Sequence, residues 1–178
     1  TIKDFTIINT GLNTAYGVIL TNDANYNTIE ENNIQMLFTP GLTNVVGILS
    51  SASLTESTGL NTEGINANYT TIRSNTITGG EAGIILEGGA ADVLNVGNQI
   101  LDNDIYNSSD YGVYVDEQDS LVLSGNYVHD ISATLSDAVV LYDVSNFEVG
   151  QPVTLKGRCL GYDELLEEIK IDQAILNL

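Results

Sequence analysis

A short strand-like phrase, I-x-x-N-x-I, occurs repeatedly along the chain and limits the folds that it can adopt. It appears as TIEENNIQ, TIRSNTIT and QILDNDIY, and again with Leu and Val in the Ile positions as VLSGNYVH. The same spacing occurs near both ends with Phe in place of Asn, at Phe5 and Phe147. Such alternation is typical of β-strands rather than helices. A strand phrase that returns at intervals predicts a repeat protein.

A second phrase, a small residue followed by an apolar run, alternates with the first. It begins at Gly17, Gly47, Gly83, Gly112 and Ala138. Successive Asn positions lie 43, 28 and 23 residues apart, and repeats of this length indicate a solenoid. Both prolines, Pro40 and Pro152, fall outside every phrase, as laddered strands require. We therefore predict an all-β fold, a parallel β-helix of about five coils with two or three short strands in each.

The asparagines of the first phrase have a structural interpretation. Equivalent residues of stacked coils lie about 4.8 Å apart, so inward-turned Asn side chains can pass hydrogen bonds along a column and to turn carbonyls. We predict such a ladder at Asn32, Asn75, Asn103 and Asn126. We expect Phe5 and Phe147 at its two ends, where an aromatic ring can stack or cover the core. The functional alternative is four asparagines that grip a sugar.

Charge excludes several classes of partner. The 178 residues include 24 Asp and Glu but 5 Lys and Arg, a formal charge of −19. Such a surface repels phosphate backbones and anionic lipid, so we expect no nucleic acid partner. No apolar run approaches the length that spans a bilayer, and we expect no membrane insertion.

Cys159 is the single cysteine. The start TIKDF, without Met or signal sequence, leads us to expect a piece of a longer protein.

Over residues 1–150, the alternating G-[I/V]-x-[L/V] and N-x-I phrases resemble the right-handed parallel β-helix repeats of pectate lyases, alginate epimerases and many secreted bacterial proteins. The resemblance implies right-handed coils and a secreted or cell-surface bacterial protein, and it is specific for fold rather than chemistry. Members normally cap the first coil with a helix. We therefore expect an uncapped N-terminal coil here, open to end-to-end self-association.

Enzymes of such families act on extended polysaccharides. A lyase or epimerase needs a base and a cation beside the uronate carboxylate. The repeat region holds two basic residues, Lys3 and Arg73, which we expect to lie far apart in coil number, so no basic cleft is predicted. His129 lies in NYVHDI. With Tyr127 and Asp130 it would form an acid/base cluster, but alternation directs Tyr127 and His129 to one side of a strand and Asp130 to the other side or into the turn. We therefore interpret His129 as an exposed residue beside a turn.

Carboxylates offer another candidate site. Counting four residues past each small residue of the second phrase predicts one column, formed by Thr21, Ser51, Glu87, Asp116 and Tyr142. Stacked Glu87 and Asp116, with Asp143 nearby, would suit a glycoside hydrolase, and the same two carboxylates would suit calcium. We favour a third interpretation, a solvated acidic face. No cofactor is predicted, with calcium as the alternative.

Two segments interrupt the repeats. Residues 51–67 are rich in Ser, Thr, Asn and Gly and are interpreted as a loop, which either carries a binding site or has no role. Residues 150–178 lack both phrases, and PVTLKGR and EIKIDQAIL are predicted strands around a Gly-Tyr-Asp turn; a short helix at YDELLEEI is the alternative. This segment resembles the last strands of a small OB-like domain of the tRNA-anticodon-binding type. The predicted domains are β-helix repeats at 1–149 and a C-terminal cap at 150–178.

Two functions remain open. The first is a non-catalytic module of a larger secreted or cell-surface protein, either glycan-binding or structural. The second is a truncated polysaccharide-active enzyme (lyase, epimerase or glycoside hydrolase) with Glu87, Asp116 and Asp143 as its acidic centre. The few cations, the single His and the lack of Trp favour the first. Tyrosines from adjacent coils are the expected sugar platform, with Tyr111, Tyr114, Tyr127 and Tyr142 as candidates.

Overall fold

Short parallel strands stacked in five coils form most of the protein, and an antiparallel hairpin follows them. The structure, a computed structural model, describes residues 1–55, 66–88 and 94–131, together with the strands at 139–141, 144–145, 154–163 and 168–177. The predicted boundary between residues 149 and 150 lies outside the described residues. The division into two domains therefore stays a prediction.

The first two coils contribute three strands each. They are β1 (Ile2–Lys3), β2 (Thr6–Asn9) and β3 (Ala15–Leu20), then β4 (Thr28–Glu30), β5 (Asn33–Met36) and β6 (Val45–Ser50). The third and fourth coils contribute β7 (Thr71–Arg73), β8 (Thr76–Thr78), β9 (Ala82–Glu87) and β10 (Asn95–Val96), then β11 (Gln99–Leu101), β12 (Asp104–Tyr106), β13 (Tyr111–Asp116) and β14 (Gln118–Asp119). The fifth contributes β15 (Val122–Ser124), β16 (Tyr127–His129), β17 (Val139–Leu141) and β18 (Val144–Ser145).

Equivalent strands stack into parallel sheets that run along the solenoid. The first sheet contains β1, β4, β7, β11 and β15; the second contains β2, β5, β8, β12 and β16; the third contains β3, β6, β9, β13 and β17. A fourth sheet contains β10, β14 and β18. The described strands therefore form the parallel β-helix of five coils that the two phrases predict, with up to four strands in a coil.

The isoleucines of the first phrase form the core. In the first sheet the inward column runs through Ile2, Ile29, Ile72, Ile100 and Leu123, and in the second through Ile7, Ile34, Ile77, Ile105 and Val128. From the second coil to the fourth these side chains are fully buried. Each contributes roughly 1.5–3 kcal/mol by burial, so the repeated phrase is the main source of stability.

The four asparagines form one buried column. Asn32 Nδ2 donates to Asn75 Oδ1 at 3.0 Å, Asn75 to Asn103 at 3.0 Å, and Asn103 to Asn126 at 2.8 Å. Each accepting oxygen also receives the backbone N–H of the preceding asparagine. The side chains are at most 6% exposed, so the alternative interpretation, in which they grip a sugar, is wrong.

Phe5 has a different role from the one expected. Its backbone N–H donates to Asn32 Oδ1 at 3.0 Å, which places it in the Asn position of the first coil. Its ring is 59% exposed and does not cover the core. Ile8 and Leu12 of the same coil are also exposed. End-to-end association through this coil stays a prediction. Phe147 lies outside the described residues.

Glycine opens the second phrase because there is no room for a side chain. A Cβ on Gly17 would lie 2.5 Å from the carbonyl oxygen of Gly47 and 2.7 Å from Ile34 Cγ2. A Cβ on Gly47 would lie 2.5 Å from Ile77 Cγ2 and 2.6 Å from the carbonyl oxygen of Gly83. The isoleucine column of the second sheet thus fills the volume that a side chain of the third sheet would need.

Replacement of Gly47 by alanine should lower the free energy of unfolding by about 2–3 kcal/mol, because the new methyl group forces a core side chain or the backbone to move. Urea denaturation measures the loss. Gly41→Ala is the control without a steric clash, because a Cβ at Gly41 meets open space. Its expected loss is only the cost of a positive φ of 81°, about 1–2 kcal/mol. A Gly47 variant as stable as the wild type would contradict this close packing.

A second set of buried amides was not predicted. It consists of Asn66, Asn95, Asn98 and Gln118. Asn95 Oδ1 accepts the backbone N–H of Asn66, and Asn98 Nδ2 donates to Gln118 Oε1 at 2.8 Å. These side chains form hydrogen bonds with backbone groups at the corner between the third and first sheets. Asn66 belongs to the predicted 51–67 loop, of which residues 56–65 lie outside the described residues.

The C-terminal hairpin differs in detail from the prediction. β19 (Thr154–Asp163) and β20 (Glu168–Asn177) pair antiparallel, and β20 lies beside β15 and β16. The Gly-Tyr-Asp stretch, predicted as the turn, is the end of β19, with a register shift between Cys159 and Gly161. The ends of YDELLEEI lie in the two strands, and residues 164–167 between them lie outside the described residues.

Candidate functional site

The described residues of the predicted acidic column are in register, and Glu87 within it is buried. Glu87 pairs with Asp116 across β9 and β13, and the Ser51 hydroxyl hydrogen-bonds to Glu87. Glu87 is 1% exposed, Glu117 is 8% exposed, and Asp116 is half-buried. The interpretation of a solvated acidic face is therefore wrong at Glu87. Tyr142 and Asp143 lie outside the described residues.

Glu87 is buried on the outer side of the third sheet, where an apolar cluster lies. All six residues of β6 and all six of β9 are buried, because these strands are covered on both faces. The outward cluster contains Val46, Leu49, Ala82 and Ile85, with Tyr16, Ile19, Tyr111 and Tyr114 packed against it. Glu87 lies on the same outward side as Ile85, two residues further along β9, and it is excluded from water.

The environment of Glu87 favours its protonated form. Burial raises the pKa of its carboxyl group to about 7, and the negative charges of Asp116 and Glu117 add to the effect against the Ser51 hydrogen bond. Its Oε2 atom has no hydrogen-bond partner among the described residues. Glu87 can thus hold a proton near neutral pH. Only 1% of Glu87 is exposed, so a substrate has little access to that proton.

A metal ion would need further ligands at this position. In the part of the chain that the structure describes, no group of three or more His, Cys, Asp or Glu side chains is placed to hold one. Calcium coordination by Glu87 and Asp116 stays a prediction.

The candidate tyrosines lie on two faces rather than one. Tyr111 and Tyr114 belong to the third sheet, where their ring centroids lie 5.3 Å apart and both are half-buried against the outer apolar cluster. Tyr127 belongs to the second sheet and is 43% exposed. Tyr111 and Tyr114 are thus partly packed against the protein, and ligand binding by the three described tyrosines stays a prediction. Tyr142 lies outside the described residues.

Tyr127 has aromatic neighbours of its own. Its ring centroid lies 4.4 Å from that of His129, which stacks on Tyr106 of the preceding coil at 5.1 Å and 18°. His129 Nε2 lies 3.1 Å from Asp104 Oδ1, and His129 Nδ1 lies 2.9 Å from Asp130 Oδ2. We call these five residues, Asp104, Tyr106, Tyr127, His129 and Asp130, the Tyr127 platform.

The expectation that His129 is exposed is wrong, whereas Asp130 lies at the turn after β16, one of the two positions expected for it. The side chain of His129 is 19% exposed, whereas those of Asp104 and Asp130 are 50% and 62% exposed. Asp130 adopts a positive φ of 53°, which turns the chain at the end of β16 and lets its carboxylate meet the imidazole. Two carboxylates thus hold the histidine against the aromatic rings.

The Tyr127 platform lies at one end of a continuous polar face. The core column of the second sheet points inward, so the flanking residues of each strand point outward. They form two columns in register, Thr6–Asn33–Thr76–Asp104–Tyr127 and Ile8–Gln35–Thr78–Tyr106–His129. The described strands of this sheet carry no Lys or Arg. The face therefore offers hydroxyl, amide and carboxylate groups and aromatic rings along the solenoid axis.

The two cations of the described coils lie elsewhere, in the first sheet. Lys3, Glu30 and Arg73 occupy equivalent positions of successive coils, so the expectation that the cations lie far apart is wrong. Arg73 Nε donates to Glu30 at 2.7 Å, and Lys3 Nζ donates to Glu31 at 2.9 Å. The Arg73 hydrogen bond lowers the pKa of Glu30. Acidic partners already engage both cations.

Sequence reasoning missed Asp104 and Tyr106, although a signal was present. Aligning Asn103 with Asn126 also aligns the residues that follow them. Asp104 is then opposite Tyr127 and Tyr106 is opposite His129. The register of the asparagine ladder therefore predicts that Asp104 and Tyr106 lie beside Tyr127 and His129.

A second exposed aromatic pair lies outside the second sheet. Tyr26 and Tyr69 stack at 5.0 Å and 12°, and they are 76% and 49% exposed. Both have positive φ angles in turns, and the Tyr69 ring covers Gly97 of the next coil. No carboxylate contact is present in their stack among the hydrogen bonds and ion pairs of the described residues, which makes Tyr26 a suitable control for the platform.

Stacked parallel coils, an internal asparagine ladder and a polar aromatic outer face define a β-helix solenoid protein. The chain belongs to the right-handed β-helix family, since the family model described as right handed beta helix region matches residues 1–154. The pectate-lyase-like superfamily is consistent with this assignment. Neither a search of curated proteins nor a search of solved structures found a significant match. No helix among the described residues is long and apolar enough to cross a membrane.

Proposed function

We propose that this chain is a non-catalytic β-helix module of a larger secreted or cell-surface protein, and that it binds an extended glycan along the outer face of the second sheet. The observation that carries the proposal is the Tyr127 platform, where an exposed ring stands beside stacked rings at one end of a polar strand face. Sugar rings pack their apolar faces on aromatic side chains. Their hydroxyl groups hydrogen-bond to carboxylate, amide and hydroxyl groups.

Two features support binding along the whole face. Polar side chains recur at the spacing of neighbouring strands, about 4.8 Å, which is similar to the rise of one sugar in an extended glycan. In addition, the lack of Lys and Arg on the described strands of this face and the net charge of −19 disfavour uronates. Uncharged or amine-bearing glycans fit the face better.

The alternative of a polysaccharide-active enzyme would use Glu87 as proton donor, since a carboxyl group with a pKa of about 7 beside Asp116 resembles the pair in a glycoside hydrolase. Burial of Glu87 in the described coils argues against it. We therefore favour binding over hydrolysis.

Electrophoresis of the folded chain through gels that contain a soluble neutral polysaccharide or a polyuronate tests the proposal. We expect retardation by at least one neutral glycan and none by polyuronate. Tyr127→Ala should weaken binding about 2–10-fold, since an aromatic contact contributes about 0.5–1.5 kcal/mol beyond its area, and Tyr26→Ala should bind like the wild type. Equal effects of the two substitutions, or no binding to any glycan, would refute the proposed function.

A further inference from the structure

The charges of the Tyr127 platform narrow the kind of glycan that it fits. Two carboxylates, Asp104 and Asp130, flank one imidazole. The formal charge of the platform is therefore negative whether His129 is neutral or protonated. Both carboxylates keep at least half of their side-chain surface open to solvent, so they can accept further hydrogen bonds from a ligand.

We propose that the platform binds a glycan with free amino groups, a polymer of amino sugars, in preference to the same glycan in N-acetylated form. This inference rests on the proposed glycan-binding function and names its ligand class. An ammonium group at the sugar ring can form charge-assisted hydrogen bonds with Asp104 or Asp130 while the ring packs on Tyr127. A cation held near the tyrosine face is further stabilised by the ring electrons.

Charge complementarity extends beyond the platform. The strands β2, β5, β8, β12 and β16 contain no Lys or Arg, and their one histidine, His129, lies between two carboxylates. The chain carries a formal net charge of −19. A polycation is therefore attracted over the whole face. N-acetylation removes the charge and leaves the sugar ring, so the two forms of one oligomer separate charge recognition from stacking.

Calorimetric titration of the chain with a linear glucosamine oligomer and with its N-acetylated counterpart, at equal length and ionic strength, tests this preference. We expect the free amine to bind about tenfold more tightly, the size of one charge-assisted hydrogen bond. The double substitution Asp104→Asn with Asp130→Asn should abolish most of the difference. Asp23 is an exposed carboxylate at a turn between the first two coils. Asp23→Asn removes one charge from the same chain and should retain the preference for the free amine.

The outcomes separate the two proposals. Equal affinity for both oligomers would overturn the amine preference and leave glycan binding intact. An equal loss of preference in the Asp23 and platform variants would also overturn it, because attraction would then arise from net charge alone. If neither oligomer nor any neutral glycan binds, the proposed function fails as well. Should the double variant melt below the assay temperature, Tyr127→Ala gives the second readout: it must weaken binding of both oligomers.

Discussion

Replacement of Asn103 by alanine should lower the free energy of unfolding by about 3 kcal/mol or more, the largest effect expected of a single substitution here. The variant leaves the backbone N–H of Asn75 without the side-chain oxygen that accepts it. It also removes one of the two hydrogen bonds that Asn75 Nδ2 donates, the other being to the Ile29 carbonyl, and the one that Asn103 Nδ2 donates to the Ile72 carbonyl. All three lost hydrogen bonds are enclosed in the column. Each buried polar group left without a partner costs about 1–3 kcal/mol.

Urea denaturation of the variant measures the effect. Asn33→Ala is the matched control, since Asn33 is exposed on β5, and surface substitutions of this kind usually change stability by about 0.5 kcal/mol or less. If the two alanine variants proved equally stable, the ladder would have no special energetic role.

Stability should fall as pH rises from about 4.5 to about 7 because of Glu87. The folded protein binds a proton at this carboxyl group more tightly than the unfolded chain, whose glutamate has the ordinary pKa of 4.5. The stabilisation is therefore complete below pH 4.5 and is lost as pH approaches 7, where the folded state must bury a carboxylate. Solvent screening makes the effect smaller than the full pKa difference implies, and we expect the free energy of unfolding to fall by about 2 kcal/mol over this pH range.

Thermal or urea melts between pH 4.5 and 8 check this prediction. Glu87→Gln should lose about 2 kcal/mol less than the wild type over that range, because glutamine has no proton to release. Asp23→Asn removes an exposed carboxylate and should retain the wild-type pH dependence, including the part that arises from general repulsion among acidic groups. Parallel curves for the wild type and Glu87→Gln would show that Glu87 titrates normally.

The fold was predictable because its determinants are local and repeated. Ile72, Asn75 and Ile77 occupy one phrase, and each position has one structural role, so recurrence of the phrase sets both the strands and their register. The glycine of the second phrase carries equal information, since the isoleucine opposite leaves no space for a Cβ. Isoleucine, asparagine and glycine columns together specify the coil.

The candidate site was less predictable because outward residues have no fixed pattern. Glu87 was assigned to the solvent on the assumption that an outward side chain is exposed, whereas it is buried on a face that also carries a second apolar cluster. The uninterrupted apolar runs VVGIL and AGIIL were the available signal, since strands buried on both faces lose their alternation. His129 was misplaced for a related reason: its partner Asp104 belongs to another coil, and Asp130 reaches it through a turn conformation that alternation does not describe.

The hydrogen bonds between neighbouring side chains of the asparagine column all run in one direction. Asn32, Asn75 and Asn103 each donate from Nδ2 to the oxygen of the next asparagine toward the fifth coil, and every Nδ2 also donates to a backbone carbonyl of the preceding coil. The two ends of the solenoid consequently accept different neighbours. A coil placed before Asn32 needs to offer only backbone groups, an N–H as Phe5 does and a carbonyl as Ile2 does, so any residue except proline serves in the position of Phe5. A coil placed after an asparagine must offer an oxygen, so sequence drift among β-helix repeats is tolerated at one end of the array and restricted at the other.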